Sequence, residues 1–190
     1  MLTIFYSPHM SSIDNEAGRS SGHADVPLTQ KGKQQAHELG RYYTEEPLDN
    51  VFCSDLQRAL ITAQIAFAAR SLRIVPDSRL RECDYGDLTQ FPTYRVNHEF
   101  PLRITEPFPN GESVLMVVKR VGAFLRDVIR KYDGKTILII GHRATKYGLE
   151  YFCSDSVIEK IVNTTWEWRE IPVWSYKLDE QTLEQRLLAL

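Results

Sequence analysis

Four short apolar runs, at residues 2–6, 50–53, 73–76 and 136–140, alternate along the chain with segments of helical period. This alternation constrains the fold more than any other feature, because strands joined through helices build a parallel-rich sheet covered on both faces. The expected architecture is α/β, a three-layer α/β/α sandwich with a mostly parallel central sheet. At 190 residues the chain has the length for one domain with a full-sized core, so residues 1–190 read as a single domain. A helix is expected from Thr29, its N-cap, to about Tyr43. Ser54 or Asp55 is the expected cap of the next, which carries the stripe Leu56, Leu60, Ala63 and Phe67. Val114, Val117, Val118, Val121, Leu125 and Val128 share one face of a third, with Lys119, Arg120, Arg126, Arg130 and Lys131 largely away from it. A shorter helix follows His142, and residues 166–176 read as late strand structure interrupted by Pro172. Residues 87–110 are rich in proline, aromatics and charge without clean periodicity, as in a short lid loop.

Composition removes several function classes. The chain is 43% hydrophobic and 25% charged, with net charge −2 and no long basic run, so nothing marks a nucleic-acid surface. No apolar stretch approaches the length of a membrane span, and the N-terminus has no basic region of the secretory kind. Cys53, Cys83 and Cys153 are odd in number and lack metal-ligand or CxxC spacing, which suits reduced thiols in a cytoplasmic protein.

The polar residues that follow the strands carry the chemistry. His9 follows the first run, Ser54-Asp55-Leu56-Gln57-Arg58 the second, Arg81-Glu82 comes soon after the third, and His142 follows the fourth. A parallel sheet binds ligands at the carboxyl edge of its strands, so these groups are expected to converge on one site. Two imidazoles, a carboxyl group and a guanidinium suit phosphoryl chemistry, since guanidinium matches phosphate oxygens and imidazole can be a nucleophile. No aspartate cluster, HxH or HxxE pattern, or Walker-type GxxxxGK[ST] is present. Phosphoryl chemistry without a metal or cofactor is the leading inference.

The same residues lie in blocks that resemble the histidine phosphatase superfamily, the phosphoglycerate mutase-like group, over nearly the whole chain. Pro8-His9-Met10, followed by Asn15 and Gly18-Arg19, stands in the register of that family's Arg-His-Gly-Glu-Thr-x-x-Asn-x-x-Gly-Arg. Asp25-Val26-Pro27-Leu28-Thr29, Gly32 and Gln35-Ala36 are similar to its GxxDxPLTxxGxxQA run. Ser54-Asp55-Leu56-Gln57-Arg58-Ala59, Leu80-Arg81-Glu82, Gly111-Glu112-Ser113 and Gly141-His142 complete the set in order. The resemblance implies a phosphoglycerate mutase-like fold and roles for the matching positions. His9 would attack phosphorus and carry the phosphoryl group, and Glu82 would protonate the leaving oxygen. Arg58 and His142 would hold the phosphate, with Asn15 and Arg19 as further donors.

Two positions depart from the pattern. Pro8 replaces the arginine that precedes the nucleophilic histidine, which removes a charge-assisted phosphate contact. Arg143 stands where glycine is usual after the second histidine. A cation there gains nothing from the start of a helix, so Arg143 is expected to turn inward as a phosphate-binding replacement. Glu82 is preferred as the acid over Asp84 and Asp87, His23 and Lys146 are taken as peripheral, and His37 and His98 as ordinary. The expected activity is a metal-independent phosphomonoesterase acting through a phosphohistidine at His9 on a small phosphorylated metabolite. The alternatives are a phosphomutase of the same family and a catalytically impaired protein that binds a phospho-ligand. Only residues 83–110 separate Glu82 from Gly111, which favours hydrolysis, because mutases of the family carry a longer insertion there. Residues 166–176 offer an edge through which two copies could form a homodimer.

Overall fold

The computed structural model of the protein describes residues 1–164 and 172–190. Its elements are β1 (Leu2–Pro8), α1 (Ile13–Glu16), α2 (Gln30–Tyr42), β2 (Asn50–Cys53), α3 (Gln57–Ala66), β3 (Ile74–Pro76), α4 (Thr93–Glu99), α5 (Val114–Ile129), β4 (Thr136–Gly141), α6 (Arg143–Cys153), α7 (Ile158–Asn163), β5 (Trp174–Leu178) and α8 (Glu180–Leu188). The strands form one sheet in the order β3-β2-β4-β1-β5. All pairings are parallel except that of β5, which runs antiparallel to β1 at the edge.

Alternation along the strands splits the interior into two cores, as a sheet covered on both faces requires. Ile4, Tyr6, Ile137 and Ile139 face a core that includes Val117, Val118, Val121 and Leu125 of α5 together with Leu149 and Phe152 of α6. Val51, Cys53, Leu138 and Ile140 face the opposite core, with Ala36 and Leu39 of α2 and Ala59 and Ala63 of α3. The chain is thus the expected α/β/α sandwich with a mostly parallel sheet. All six aliphatic residues expected on the inner face of α5 are buried, each contributing about 1.5–3 kcal/mol.

β1 and β4 are neighbours at the centre of the sheet, with Pro8 opposite Gly141. The residues that follow them, His9 and His142, therefore emerge side by side at one edge. The His9 amide donates to the Gly141 carbonyl at 2.9 Å, as Thr3 donates to Lys135 at the other end of the strand. Odd-numbered amides of β1 thus point to β4 and even-numbered ones to β5, whose pairing ends at Tyr6 opposite Trp174. Pro8 lies beyond that end, so its missing N–H removes no ladder bond.

Three local results differ from the sequence expectations. Ser54 and Asp55 do not cap α3. Its N-cap is Leu56, without a side-chain bond, and the Gln57 amide donates instead to Asp25 Oδ1 at 2.7 Å. Asp55 is engaged elsewhere, in a fork with Arg81. Residues 87–110, expected as a loop, contain α4 and a following 3-10 turn at Phe100–Leu102. Only Val96 of α4 is buried, with Phe100 just beyond it, too few apolar positions to register as a helical period. In the last expected strand the regular segment is 174–178; residues 166–171 lie outside the described residues.

Candidate active site

The loop after β1 is held by α2. Thr29 caps that helix by accepting the Gly32 amide at 3.0 Å, while its own amide donates to the Ser11 carbonyl at 3.0 Å. A Cβ on Gly32 would lie 2.1 Å from Ser11 O, so only glycine allows the helix to approach the His9–Ser12 turn this closely. The Ser11 amide also donates to Gln35 Oε1 at 3.1 Å. The Leu28-Thr29 and Gly32 positions thus act as a clamp on the histidine loop.

His9 is half-buried, and its Nδ1 lies 2.8 Å from the Met10 carbonyl. That acceptor fixes the proton on Nδ1 and leaves Nε2 with its lone pair, which receives a bond from Arg58 Nε at 3.3 Å. Burial, and then the Arg58 charge, lower the His9 pKa to about 3, so the ring is neutral at physiological pH. Arg58 is almost wholly buried. Its Nη1 donates to the Ala24 carbonyl at 2.9 Å and its Nη2 to that of Gly22 at 2.8 Å, which locks the fork beside His9.

His142 is the N-cap of α6. Its amide donates to Thr145 Oγ1 at 3.0 Å, and that hydroxyl donates to the Leu80 carbonyl at 2.8 Å. Tyr6 donates to the His142 carbonyl at 2.7 Å. The ring is thereby presented with both nitrogens buried and without a protein partner. Buried polar atoms are normally paired, so these two mark where a ligand atom belongs. Burial, Arg58 and His9 push the His142 pKa well below its ordinary value.

Glu82 is buried and accepts two backbone amides on Oε1, from Cys83 at 2.8 Å and from Ala144, in the first turn of α6, at 3.1 Å. Both bonds fall on one oxygen, which leaves Oε2 for the cavity. The backbone behind Glu82 is held by Arg120 of α5. Arg120 donates to the carbonyls of Arg79, Arg81 and Glu82 at 2.7–2.8 Å and to the Glu112 carboxylate at 2.9–3.0 Å. Burial opposes the Glu112 charge, but Arg120 outweighs it and the pKa is lowered. His23 Nε2 lies 2.8 Å from the same Glu82 carbonyl.

A cavity of about 180 Å³ opens between these elements. All seven residues singled out from the sequence line it: His9, Asn15, Arg19, Arg58, Glu82, His142 and Arg143. Asn15 gives its Oδ1 to the Ser12 amide and hydroxyl, so its Nδ2 is the group left for a ligand. Arg19 is held by buried Asp14, whose other oxygen takes Gln90 Nε2 at 3.0 Å. Arg143 does not face solvent. It donates to Asn97 Oδ1 at 2.7 Å and lies 4.3 Å from the centre of the Phe100 ring. Burial works against its charge, but Tyr85, Tyr147 and Glu82 outweigh it and raise its pKa. Asp14, Tyr85, Asn97, Glu112 and Arg120 escaped the sequence reading as site residues. Only Glu112 carried a signal, the Gly111-Glu112-Ser113 block. Among the described residues, no three His, Cys, Asp or Glu side chains converge as metal ligands.

The profile of the histidine phosphatase superfamily, branch 1, matches residues 9–150. The chain belongs to the histidine phosphatase superfamily. Among curated relatives, it is 29% identical over 150 residues to phosphoserine phosphatase 1 of Hydrogenobacter thermophilus, which covers 75% of this chain and 71% of that one. It is 30% identical over 150 residues to the "Probable phosphoglycerate mutase GpmB" of Yersinia enterocolitica, over 75% and 70%. The solved structure of YhfR from Bacillus stearothermophilus has the same fold, with TM-score 0.82 at 24% identity over 95% and 93% of the two chains. This histidine phosphatase is therefore an enzyme of phosphate-ester chemistry, in a family whose members are named as phosphatases and mutases. No helix among the described residues is long and apolar enough to cross a membrane.

Proposed function

We propose that the protein is a metal-independent phosphomonoesterase that acts through a phosphohistidine at His9 on a small phosphorylated metabolite. The observation that carries this reading is the unprotonated Nε2 of His9, presented beside Arg58 in a cavity that also holds Glu82 and the two unpartnered nitrogens of His142. The phosphate would lie on Arg58 and His142, with Asn15 and Arg19 closing from the α1 side. His9 Nε2 attacks phosphorus, the bond to the leaving oxygen breaks, and that oxygen takes a proton from Glu82 Oε2. The Glu82 carboxylate then accepts a proton from water as the water oxygen attacks phosphorus. The N–P bond breaks, and inorganic phosphate leaves with His9 and Glu82 restored.

Hydrolysis is favoured over mutase action because the cavity is accessible from solvent, with 47% of the Arg19 side chain exposed at its wall. The free cysteines support a reducing, cytoplasmic location. The test is hydrolysis of p-nitrophenyl phosphate in EDTA, with acid-labile label from a 32P-phosphate ester trapped on the protein. Turnover and labelling in the wild type, both lost in His9→Ala, are expected. Activity abolished by EDTA and restored by magnesium or zinc would overturn the mechanism.

A further inference from the structure

The Arg19 guanidinium at the cavity wall is half-exposed, and the carboxylate that holds it is wholly out of solvent. Asp14 Oδ1 lies 3.2 Å from both Nε and Nη2 of Arg19, and the Asp14 carbonyl accepts the Arg19 amide at 2.8 Å. Gly18, at φ +65°, makes the turn between them. The second oxygen, Oδ2, takes Gln90 Nε2 at 3.0 Å from 76 positions away.

Gln90 belongs to a turn that clips onto the Arg19 loop. Its amide donates to the Ser20 carbonyl at 2.8 Å, the Ser20 amide to that of Phe91 at 3.0 Å, and the Thr93 amide to that of Gly18 at 2.9 Å. Arg19 and Pro92 form an isolated bridge between the two segments. Gln90 has φ +62°, a conformation that a non-glycine residue keeps only where its surroundings hold it. Asp14 is thus the point where Arg19, its loop and the 90–93 turn meet. A buried carboxylate is costly unless it is paired, and a pair of this kind adds little to stability. What it fixes is the direction of a long side chain that otherwise samples many rotamers. With Oδ1 holding Nε and Nη2, Nη1 is the group left for the cavity.

We propose that Asp14 is a positioning residue, which aims the Arg19 guanidinium at the phosphate and, through Gln90, makes that aim depend on the 90–93 turn being docked. The phosphate cradle is then complete only when the segment that leads into α4 is in place. This assignment rests on the phosphatase reading above, in which Arg19 binds the phosphate.

The test is a double-mutant cycle read in two ways, by calorimetric binding of inorganic phosphate and by the KM for p-nitrophenyl phosphate. Asp14→Ala leaves no buried charge unpaired, because Arg19 is already half in water. It is expected to raise Kd and KM about tenfold, with kcat changed about twofold or less. In an Arg19→Gln background the same substitution has no further effect, because Asp14 acts through that guanidinium. Gln90→Ala, at an exposed position, raises Kd and KM about threefold and likewise adds nothing after Arg19→Gln. It carries the test if Asp14→Ala does not fold. Equal fold-losses from Asp14→Ala with and without Arg19 would show a role in folding alone and overturn the proposal. So would unchanged phosphate binding in Gln90→Ala, which would show that the turn plays no part. Failure of the phosphatase reading itself looks different: no ester is hydrolysed and His9 takes no label, while the phosphate-binding cycle is still read.

Discussion

The rings of His9 and His142 lie 4.9 Å apart, centre to centre, at the ends of adjacent strands, and burial keeps both neutral. The unfolded chain takes up protons at both positions near the ordinary pKa of 6.5, whereas folded His9 does so only near pH 3 and folded His142 well below its ordinary value. Stability from these rings is therefore complete above pH 6.5 and is lost as pH falls toward 3. At pH 5 the loss from His9 is about 2 kcal/mol, and His142 adds to it in the same direction. Thermal unfolding between pH 7 and 4 should show this decline, and His9→Gln or His142→Gln should flatten it. Wild-type and variant curves of equal slope would reject the neutral pair.

Glu82→Gln removes the proton but keeps the bonds from Cys83 and Ala144 to the side-chain oxygen. Aryl phosphates, with good leaving groups, should lose little activity, while alkyl phosphates should lose about a hundredfold or more. Steady-state kinetics on one ester of each kind would decide. Equal losses would exclude Glu82 as the acid.

Pro8 lines the cavity and supports no ladder bond. Pro8→Arg should therefore leave the melting temperature nearly unchanged while adding a cation beside the phosphate. The expected gain in kcat/KM for p-nitrophenyl phosphate is about ten- to hundredfold. A variant that folds normally without gaining activity would show that the existing cradle already neutralises the phosphate.

Arg120→Met leaves Glu112 without its cation and frees three carbonyls of the loop that carries Glu82. Denaturant unfolding should show a loss of about 3 kcal/mol. The turnover of alkyl phosphates should fall further than that of aryl phosphates, because the damage reaches the substrate through the acid. Arg120→Lys should recover part of both.

Gly86 has φ +50°, and a Cβ there would lie 2.0 Å from the Pro109 carbonyl. Gly86→Ala should cost more than about 2 kcal/mol and loosen the base of the 87–110 segment. Faster hydrogen exchange at the amides of Asp87 and Gly111, which bond to Pro109 and Phe108, would report it.

The sequence disclosed what is local or periodic. The run at 50–53 is β2 residue for residue, and the valine face of α5 is buried as its spacing requires. All seven site residues lie on one cavity because they follow strands of a single sheet edge or flank it. What escaped depends on distant partners. Asp25 substitutes for Asp55 at α3 across 32 positions of chain, and Arg120 reaches the Glu82 carbonyl across 38, although its place on the helix reads as ordinary solvent-facing charge. Arg143 was legible as an unusual cation, but its wall was not. Its partners Tyr85, Asn97 and Phe100 belong to a segment whose helix has too few apolar residues to announce itself.

Glu82 receives the Ala144 amide, and His142 is the cap of that same helix. Glu82, the proposed proton donor, is thus tied by a hydrogen bond to the same helical turn that His142 caps. They cannot drift relative to each other without breaking the start of α6. α4 is joined to that turn through the bond from Arg143 to Asn97. A substitution in α4 would then alter what Arg143 touches while leaving intact the turn that holds Glu82 and His142.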